Sequence, residues 1–247
     1  MSRVAVVTGG IGGLGTAMCK ALVEQGRKAV AVDYSGLSAE VVDKWKADRK
    51  AEGLDIPVYL ADVTDFDSCA EACKKIEAEV GPIEILVNNA GITRDAMFHK
   101  MTPEQWHAVI NTNLNSIFNM TKQVYGKMVE RNWGRIVNIS SVNGIKGQAG
   151  QANYSATKAA VYGFTKSLAQ ECAKKGVTVN SISPGYIGTE MVRAIREDVL
   201  AKIVGTIPVG RLGEPSEIAR TVAFMTAEDA GFLTGEDVTV NGGLYFR

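Results

Sequence analysis

The sequence predicts one doubly wound (Rossmann) α/β domain over residues 1–247, with a seven-stranded parallel sheet and helices on both faces. Three observations predict it. Short β-branched runs alternate with longer stretches of helical periodicity, a glycine-rich turn follows the first run, and no linker, repeat or charge block breaks the series. The runs fall at residues 4–7, 29–32, 58–61, 85–87, 136–139, 177–182 and 238–240.

Between the first two runs, Leu14, Met18 and Leu22 recur every four residues and Gly26 closes the segment. That is the pattern of an amphipathic helix ending at a glycine, so the chain opens on a βαβ unit. Residues 103–131 place Trp106, Val109, Ile110, Leu114, Ile117, Phe118 and Val124 at helical spacing, and Trp133-Gly134 follows as punctuation. One long helix against the sheet is the expectation here.

At 247 residues, 46% of them hydrophobic, the chain is long and apolar enough to bury a sizeable core. Its 27 basic residues balance 27 acidic ones. No global field then attracts nucleic acid or an anionic membrane, and any anion site must be built locally. The apolar run after Arg3 is too short for a signal peptide, so a cytoplasmic protein is expected. Cys19, Cys69, Cys73 and Cys172 are read as reduced thiols. His99 and His107 give Cys69 and Cys73 no zinc-ligand spacing, and no metal is expected.

Chemistry concentrates first in Thr8-Gly9-Gly10-Ile11-Gly12-Gly13-Leu14-Gly15, where glycines let the backbone turn tightly and approach a pyrophosphate at the next helix's start. Gly9, Ile11, Gly12, Gly13, Leu14 and Gly15 are the candidate contacts. Asp33 ends the second strand where an adenosine ribose would lie, and its carboxylate suits two hydroxyls better than a 2'-phosphate. Tyr34 and Ser35 follow in place of an arginine clamp, which favours NADH, with NADPH the alternative.

Tyr154 and Lys158 are four apart, so on a helix they share a face, and an ammonium beside the phenol is expected to lower its pKa. Tyr162 and Lys166 have the same spacing and lie about 12 Å further along the same helix, so both pairs cannot serve one site. Asn138-Ile139-Ser140-Ser141 chooses between them: a strand ends in hydroxyls there, and a glycine-rich stretch lets the chain fold back to Tyr154. Ser141 is then placed to hold a substrate oxygen.

Taken in order, the Thr-Gly-x3-Gly-x-Gly turn, Asn88-Asn89-Ala90-Gly91, Ser141 thirteen residues before Tyr154, Tyr-x3-Lys and Ser183-Pro184-Gly185 resemble the short-chain dehydrogenase/reductase family over essentially the whole chain. The resemblance implies hydride transfer between a nicotinamide and a carbonyl carbon, with Ser141 holding the oxyanion and Tyr154 donating the proton. Lys158 and Asn113 would relay its replacement, Asn113 holding a water that links the lysine to solvent. It also implies adenine contacts at Asp62 and Val63, and ribose and nicotinamide contacts at Asn89, Ala90, Gly91, Tyr154, Lys158, Pro184, Gly185, Ile187 and Thr189.

Within the family, residues 88–95, 143–155 and 183–203 most resemble the branch that reduces 3-oxoacyl thioesters. The resemblance implies acetoacetyl-CoA as substrate, (R)-3-hydroxybutyryl-CoA as product and polyhydroxybutyrate synthesis as the setting. Asp95, Lys100, Ser141, Gln148, Gln151, Tyr186 and Arg196 would line the thioester pocket. Reductases of this branch commonly use NADPH, and Asp33 departs from that pattern. Two alternatives stand beside this reading. A carrier-protein thioester would dock on basic residues beside the site, where Lys175 is kept, Asn132 is not basic and Arg131 is a neighbouring substitute. A catalytically silent nucleotide-binding scaffold is the other, against which Ser141, Tyr154, Lys158 and Asn113 all speak. The resemblance further implies a homotetramer, and the apolar tail through Leu244, Tyr245, Phe246 and Arg247 suits a subunit contact.

Overall fold

The computed structural model describes residues 2–193 and 196–246, with Met191 described by its backbone alone. Met1, Ala194, Ile195 and Arg247, the last residue of the apolar tail, lie outside the described residues. Strand and helix alternate from the start: β1 (Val4–Thr8), α1 (Gly13–Glu24), β2 (Lys28–Asp33), α2 (Ala39–Ala51), β3 (Val58–Leu60), α3 (Phe66–Glu79) and β4 (Ile83–Asn88). The second half runs α4 (Pro103–Ile110), α5 (Ser116–Arg131), β5 (Gly134–Ile139), α6 (Val142–Lys146), α7 (Ala152–Cys172), β6 (Val177–Pro184), α8 (Glu190–Arg193), α9 (Glu197–Gly205), α10 (Pro215–Met225) and β7 (Asp237–Val240).

The seven strands form one sheet in the order β3-β2-β1-β4-β5-β6-β7, and every neighbouring pair is parallel. Each strand expected from the sequence overlaps an observed one. Residue alternation explains the two layers. Val4, Val6, Val30 and Val32 point to a core closed by Cys69 and Ile76 of α3, Met120 and Val124 of α5 and Ala169 of α7. Ala5, Val7, Ala29 and Ala31 point the other way, onto Met18 and Leu22 of α1, Trp45 of α2 and Ile218 of α10. Leu22 is fully buried in that second layer, and its truncation to alanine is expected to cost about 2–5 kcal/mol.

Local signals set the helix boundaries. Thr102 and Gln105 form a reciprocal capping box at α4 with Pro103 in the first turn, and Asp65 accepts from the Ser68 N–H at 2.7 Å to cap α3. Gly26 ends the first helical segment with φ +75°.

The single long helix expected over residues 103–131 is instead α4 and α5 joined by a π-helical turn at Asn111–Asn115. Apolar spacing is blind to one extra residue in a turn. Here that widening accompanies the burial of the Asn113 side chain, which is fully inaccessible.

Because β1 and β4 are neighbours while the chain winds outward from them in opposite directions, the sheet has its switch point at their C-terminal ends. A parallel sheet opens its ligand crevice there.

Candidate active site

The glycine turn after β1 has a backbone that side chains would destroy. A Cβ on Gly15 would fall 2.0 Å from the Gly9 carbonyl oxygen, and Gly9 itself has φ +62°. No side chain caps α1 at Gly12, so the N–H groups of Gly13, Leu14 and Gly15 are presented at the helix start, where the helix dipole favours an anion. Asp33 closes the turn from β2. Its Oδ2 accepts from the Ile11 N–H at 3.0 Å and its Oδ1 from the Tyr34 N–H at 2.8 Å. Across the crevice, the Thr189 side chain stands against Gly13, 3.5 Å from where a Cβ would be. A cradle of N–H groups with a fixed carboxylate beyond it fits a dinucleotide's pyrophosphate and ribose.

The neighbouring edge is tied together by Thr8. Its Oγ1 accepts from the N–H groups of Asn89 and Ala90, each at 3.0 Å, while Asn89 Nδ2 donates to the Thr8 and Gly9 carbonyls at 2.9 and 3.2 Å. Thr8, which opens the glycine motif but is not among the candidate contacts, is therefore a structural partner of the cradle. Where the resemblance implies adenine contacts, Asp62 Oδ1 accepts from the Thr64 N–H and hydroxyl, and the Val63 carbonyl accepts from Asn119 Nδ2 at 3.0 Å. Pro184 ends β6 beside Val240, Gly185 passes against Asn241, and Ile187 is buried against Gly213.

Ser141, Tyr154 and Lys158 come together at the C-terminal edge of β5. Ser140 and Ser141 divide their roles: Ser140 Oγ turns in to donate to the Lys158 carbonyl at 2.7 Å, and the Ser141 hydroxyl is near enough to the Tyr154 phenol to favour its ionised form. Ser141 Oγ also accepts the Asn143 N–H at 3.1 Å. Helix α6 packs so tightly on α7 that a Cβ on Gly144 would lie 2.7 Å from the Lys158 carbonyl carbon. Lys158 Nζ sits 5.6 Å from the Tyr154 ring centroid and donates to the Ile139 carbonyl at 2.8 Å.

Electrostatics departs from expectation here. Burial pushes the Tyr154 phenol up, the Ser141 hydroxyl opposes this, and Asp95 and Tyr162 add to the rise. Lys158 is not among the groups that shift the phenol, and burial lowers its own pKa to about 8.

Tyr162, the other tyrosine at the same spacing, is placed behind the site. Its hydroxyl donates to the Ser141 carbonyl at 3.0 Å and lies 3.0 Å from Ser183 Oγ, which in turn donates to the buried Asp237 carboxylate at 2.9 Å. The Asn113 side chain fixes a neighbouring segment. Its Oδ1 accepts the Ile92 N–H at 2.8 Å and its Nδ2 donates to the Ile92 carbonyl at 2.9 Å, which clamps the loop after β4. Gly91, in that loop, has its missing Cβ 3.4 Å from Asn113 Oδ1 and 3.6 Å from Lys158 Nζ.

The expected thioester residues separate into two groups. Gln151 Nε2 donates to Asp95 Oδ2 at 2.8 Å, at the end of the loop nearest Tyr154. Lys100 is exposed on a short turn, Gln148 is exposed and accepts from Lys146 Nζ at 2.7 Å, Tyr186 is half-buried on the loop after β6, and exposed Arg196 pairs with Asp198. Among the described residues no group of three or more His, Cys, Asp or Glu side chains is arranged to hold a metal.

The short chain dehydrogenase family model matches residues 3–200. The chain belongs to that family. It is accordingly an NAD(P)-dependent oxidoreductase acting on a CH–OH group. Among curated proteins, the chain is 59% identical to an acetoacetyl-CoA reductase of Shinella zoogloeoides and 58% identical to one of Rhizobium meliloti (strain 1021), each over 247 residues and the whole of both chains. It is 43% identical to a 3-oxoacyl-[acyl-carrier-protein] reductase of Vibrio harveyi, over 98% of this chain and 97% of that one.

Within this family fold, one expectation is corrected. Lys175, Arg131 and Asn132 are not beside the site: they precede β6 and β5, at the N-terminal edge of the sheet, whereas Ser141 follows β5 at the opposite edge. Parallel strands force that separation, since every helix-to-strand connection lies at one edge. Arg131 also spends one guanidinium N–H on the Ile83 carbonyl, at 2.7 Å.

Proposed function

We propose that this chain, acting as one cofactor-binding and catalytic domain, reduces acetoacetyl-CoA to (R)-3-hydroxybutyryl-CoA with NADH. The observation that carries the reading is the convergence of the Ser141 hydroxyl, the Tyr154 phenol and the Lys158 ammonium beside the glycine cradle. Ser141 Oγ already accepts the Asn143 N–H, so its own hydrogen can be donated to a ketone oxygen. Burial keeps the proton on Tyr154, which suits a phenol that must give it to the developing alkoxide. With a pKa of about 8, Lys158 can lose and regain a proton near neutrality and so restore the phenol. Asn113 holds the Gly91 loop against Lys158 and thereby shapes the path from the lysine to solvent. The nicotinamide, when bound, supplies the hydride to the ketone carbon.

Asp33 supports NADH over NADPH, because its carboxylate is held at the ribose end of the cradle by two backbone N–H groups. Asp95, Lys100, Gln148, Gln151, Tyr186 and Arg196 are the proposed thioester contacts. The similarity to acetoacetyl-CoA reductases supports CoA over a carrier protein, as does the distance of Arg131 and Lys175 from this chain's own site. The same reading makes the protein a cytoplasmic homotetramer, with the exposed, stacked Phe66 and Phe118 as apolar surface for a subunit contact. Comparing kcat/KM for acetoacetyl-CoA and an acetoacetyl carrier protein tests the assignment. The CoA thioester is expected to win by about 10-fold or more, a difference worth about 1.4 kcal/mol. A higher value for the carrier-linked thioester would overturn it.

A further inference from the structure

Ile11, in the glycine turn, has both of its backbone polar groups engaged, and the second bond ends a relay. Its N–H donates to Asp33 Oδ2 at 3.0 Å, and its carbonyl accepts the Thr16 hydroxyl at 3.3 Å. The Thr16 oxygen in turn accepts the indole N–H of Trp45 at 2.9 Å. Donor chemistry fixes the direction of this relay. An indole N–H only donates and a carbonyl only accepts, so the Thr16 hydroxyl accepts from Trp45 and gives its own hydrogen to Ile11.

Trp45 stands on α2, the helix that follows Asp33. Residues 34–44 are therefore pinned at both ends to Ile11, through Asp33 at one end and through Trp45 and Thr16 at the other. Helix α2 buries Val42 and Trp45, and the indole, 8% exposed, shares an apolar cluster with Met18 and Leu22 of α1. Arg49 lies over its ring, 5.5 Å from the centroid, and Glu52 pairs with both Arg49 and Lys20 of α1, at 3.1 and 2.6 Å. The indole is held in one orientation, with its N–H toward Thr16.

The inference rests on the reading of the glycine turn as a dinucleotide cradle. We propose that Trp45 and Thr16 are positioning residues for the cofactor: their relay fixes the Ile11 carbonyl and so keeps the turn in register with the Asp33 carboxylate. Pyrophosphate and ribose then meet a surface already assembled, and no binding free energy is spent on ordering it. The fold does not depend on the relay, because the turn keeps a further bond to β2, from the Gly10 N–H to the Val32 carbonyl at 3.1 Å. Its effect falls on cofactor affinity and not on the thioester.

Calorimetric titration with NADH, set beside steady-state kinetics, separates this role from a general loosening of the protein. Thr16→Val keeps the branched shape and removes the hydroxyl, and is expected to raise Kd for NADH about 10-fold. Trp45→Phe keeps an aromatic ring and removes the N–H, and is expected to raise it about 3-fold. Because the indole acts through the hydroxyl, the double variant should bind NADH no more weakly than Thr16→Val alone. Thr16→Ser, which restores the hydroxyl, should recover the affinity to within about 2-fold of the parent, and KM for acetoacetyl-CoA at saturating NADH should stay within about 2-fold throughout. An unchanged Kd in Thr16→Val, additive losses in the double variant, or an equal rise in KM for acetoacetyl-CoA would overturn the proposal. Failure of the underlying reading looks different: the parent protein would then bind neither NADH nor NADPH.

Discussion

The Asp33 carboxylate accepts the Ile11 N–H at 3.0 Å, so the residue that would meet the adenosine ribose is bonded directly to the turn that would hold the pyrophosphate. Its position is part of the cradle rather than that of a free surface side chain. The parent protein is expected to show a higher kcat/KM with NADH than with NADPH, and Asp33→Ser should narrow that ratio by about 10-fold or more. Like-charge repulsion against the 2'-phosphate would be relieved and one anchor of the turn lost. Initial rates with each cofactor check this, and a strong NADPH preference in the parent contradicts it.

Lys158 carries a stability cost with a defined pH window. Burial lowers its pKa to about 8, against an unfolded value of about 10.4. Below about pH 8 both states are protonated and the cost is present in full. Between the two values the unfolded chain binds more protons, so stability rises with pH until the cost is gone. Lys158→Met is therefore expected to be inactive yet more stable than the parent at pH 7, by up to about 3 kcal/mol. That advantage should fade as pH rises from 8 toward 10.4. Urea unfolding of both proteins across this range measures the difference; a gap that widens with pH would show the sign to be wrong.

Gly15→Ala tests the cradle without touching a polar group. The added methyl would collide with the Gly9 carbonyl, so the turn must open. Fluorescence titration with NADH is expected to show affinity reduced about 100-fold or more, while Gly126→Ala, where a Cβ meets nothing within 4 Å, binds as the parent does. Equal affinities in the two variants would remove the glycine turn from the binding site.

Features carried by adjacent residues were legible in the sequence. The β-branched runs and the glycine turn gave every strand and the cradle, because a parallel sheet writes its buried strands as continuous apolar runs. Ser141 and Tyr154 were legible because a strand end and a helix start separated by a glycine-rich loop can meet in few ways. What escaped depends on tertiary contact. The hydrogen-bond chain from Asn143 Nδ2 through Gln151 to Asp95 joins residues from separate segments. The π-helical turn around Asn113 leaves the apolar spacing of residues 103–131 intact. The distance of Lys175 and Arg131 from the site follows from which sheet edge each connection occupies, which residue identity does not record. Tyr162 repeats the spacing of Tyr154, and its bond to the Ser141 carbonyl gives it a supporting place instead.

That contrast between two tyrosines on one helix gives the central test: acetoacetyl-CoA-dependent NADH oxidation by the parent, Tyr154→Phe and Tyr162→Phe. Removing the Tyr154 hydroxyl deletes the proton donor and should lower kcat by about 1,000-fold or more. Removing the Tyr162 hydroxyl loosens Ser141 from behind and should leave most of the activity, within a factor of about 10. Equal losses in the two variants, or no oxidation by the parent, would contradict the mechanism.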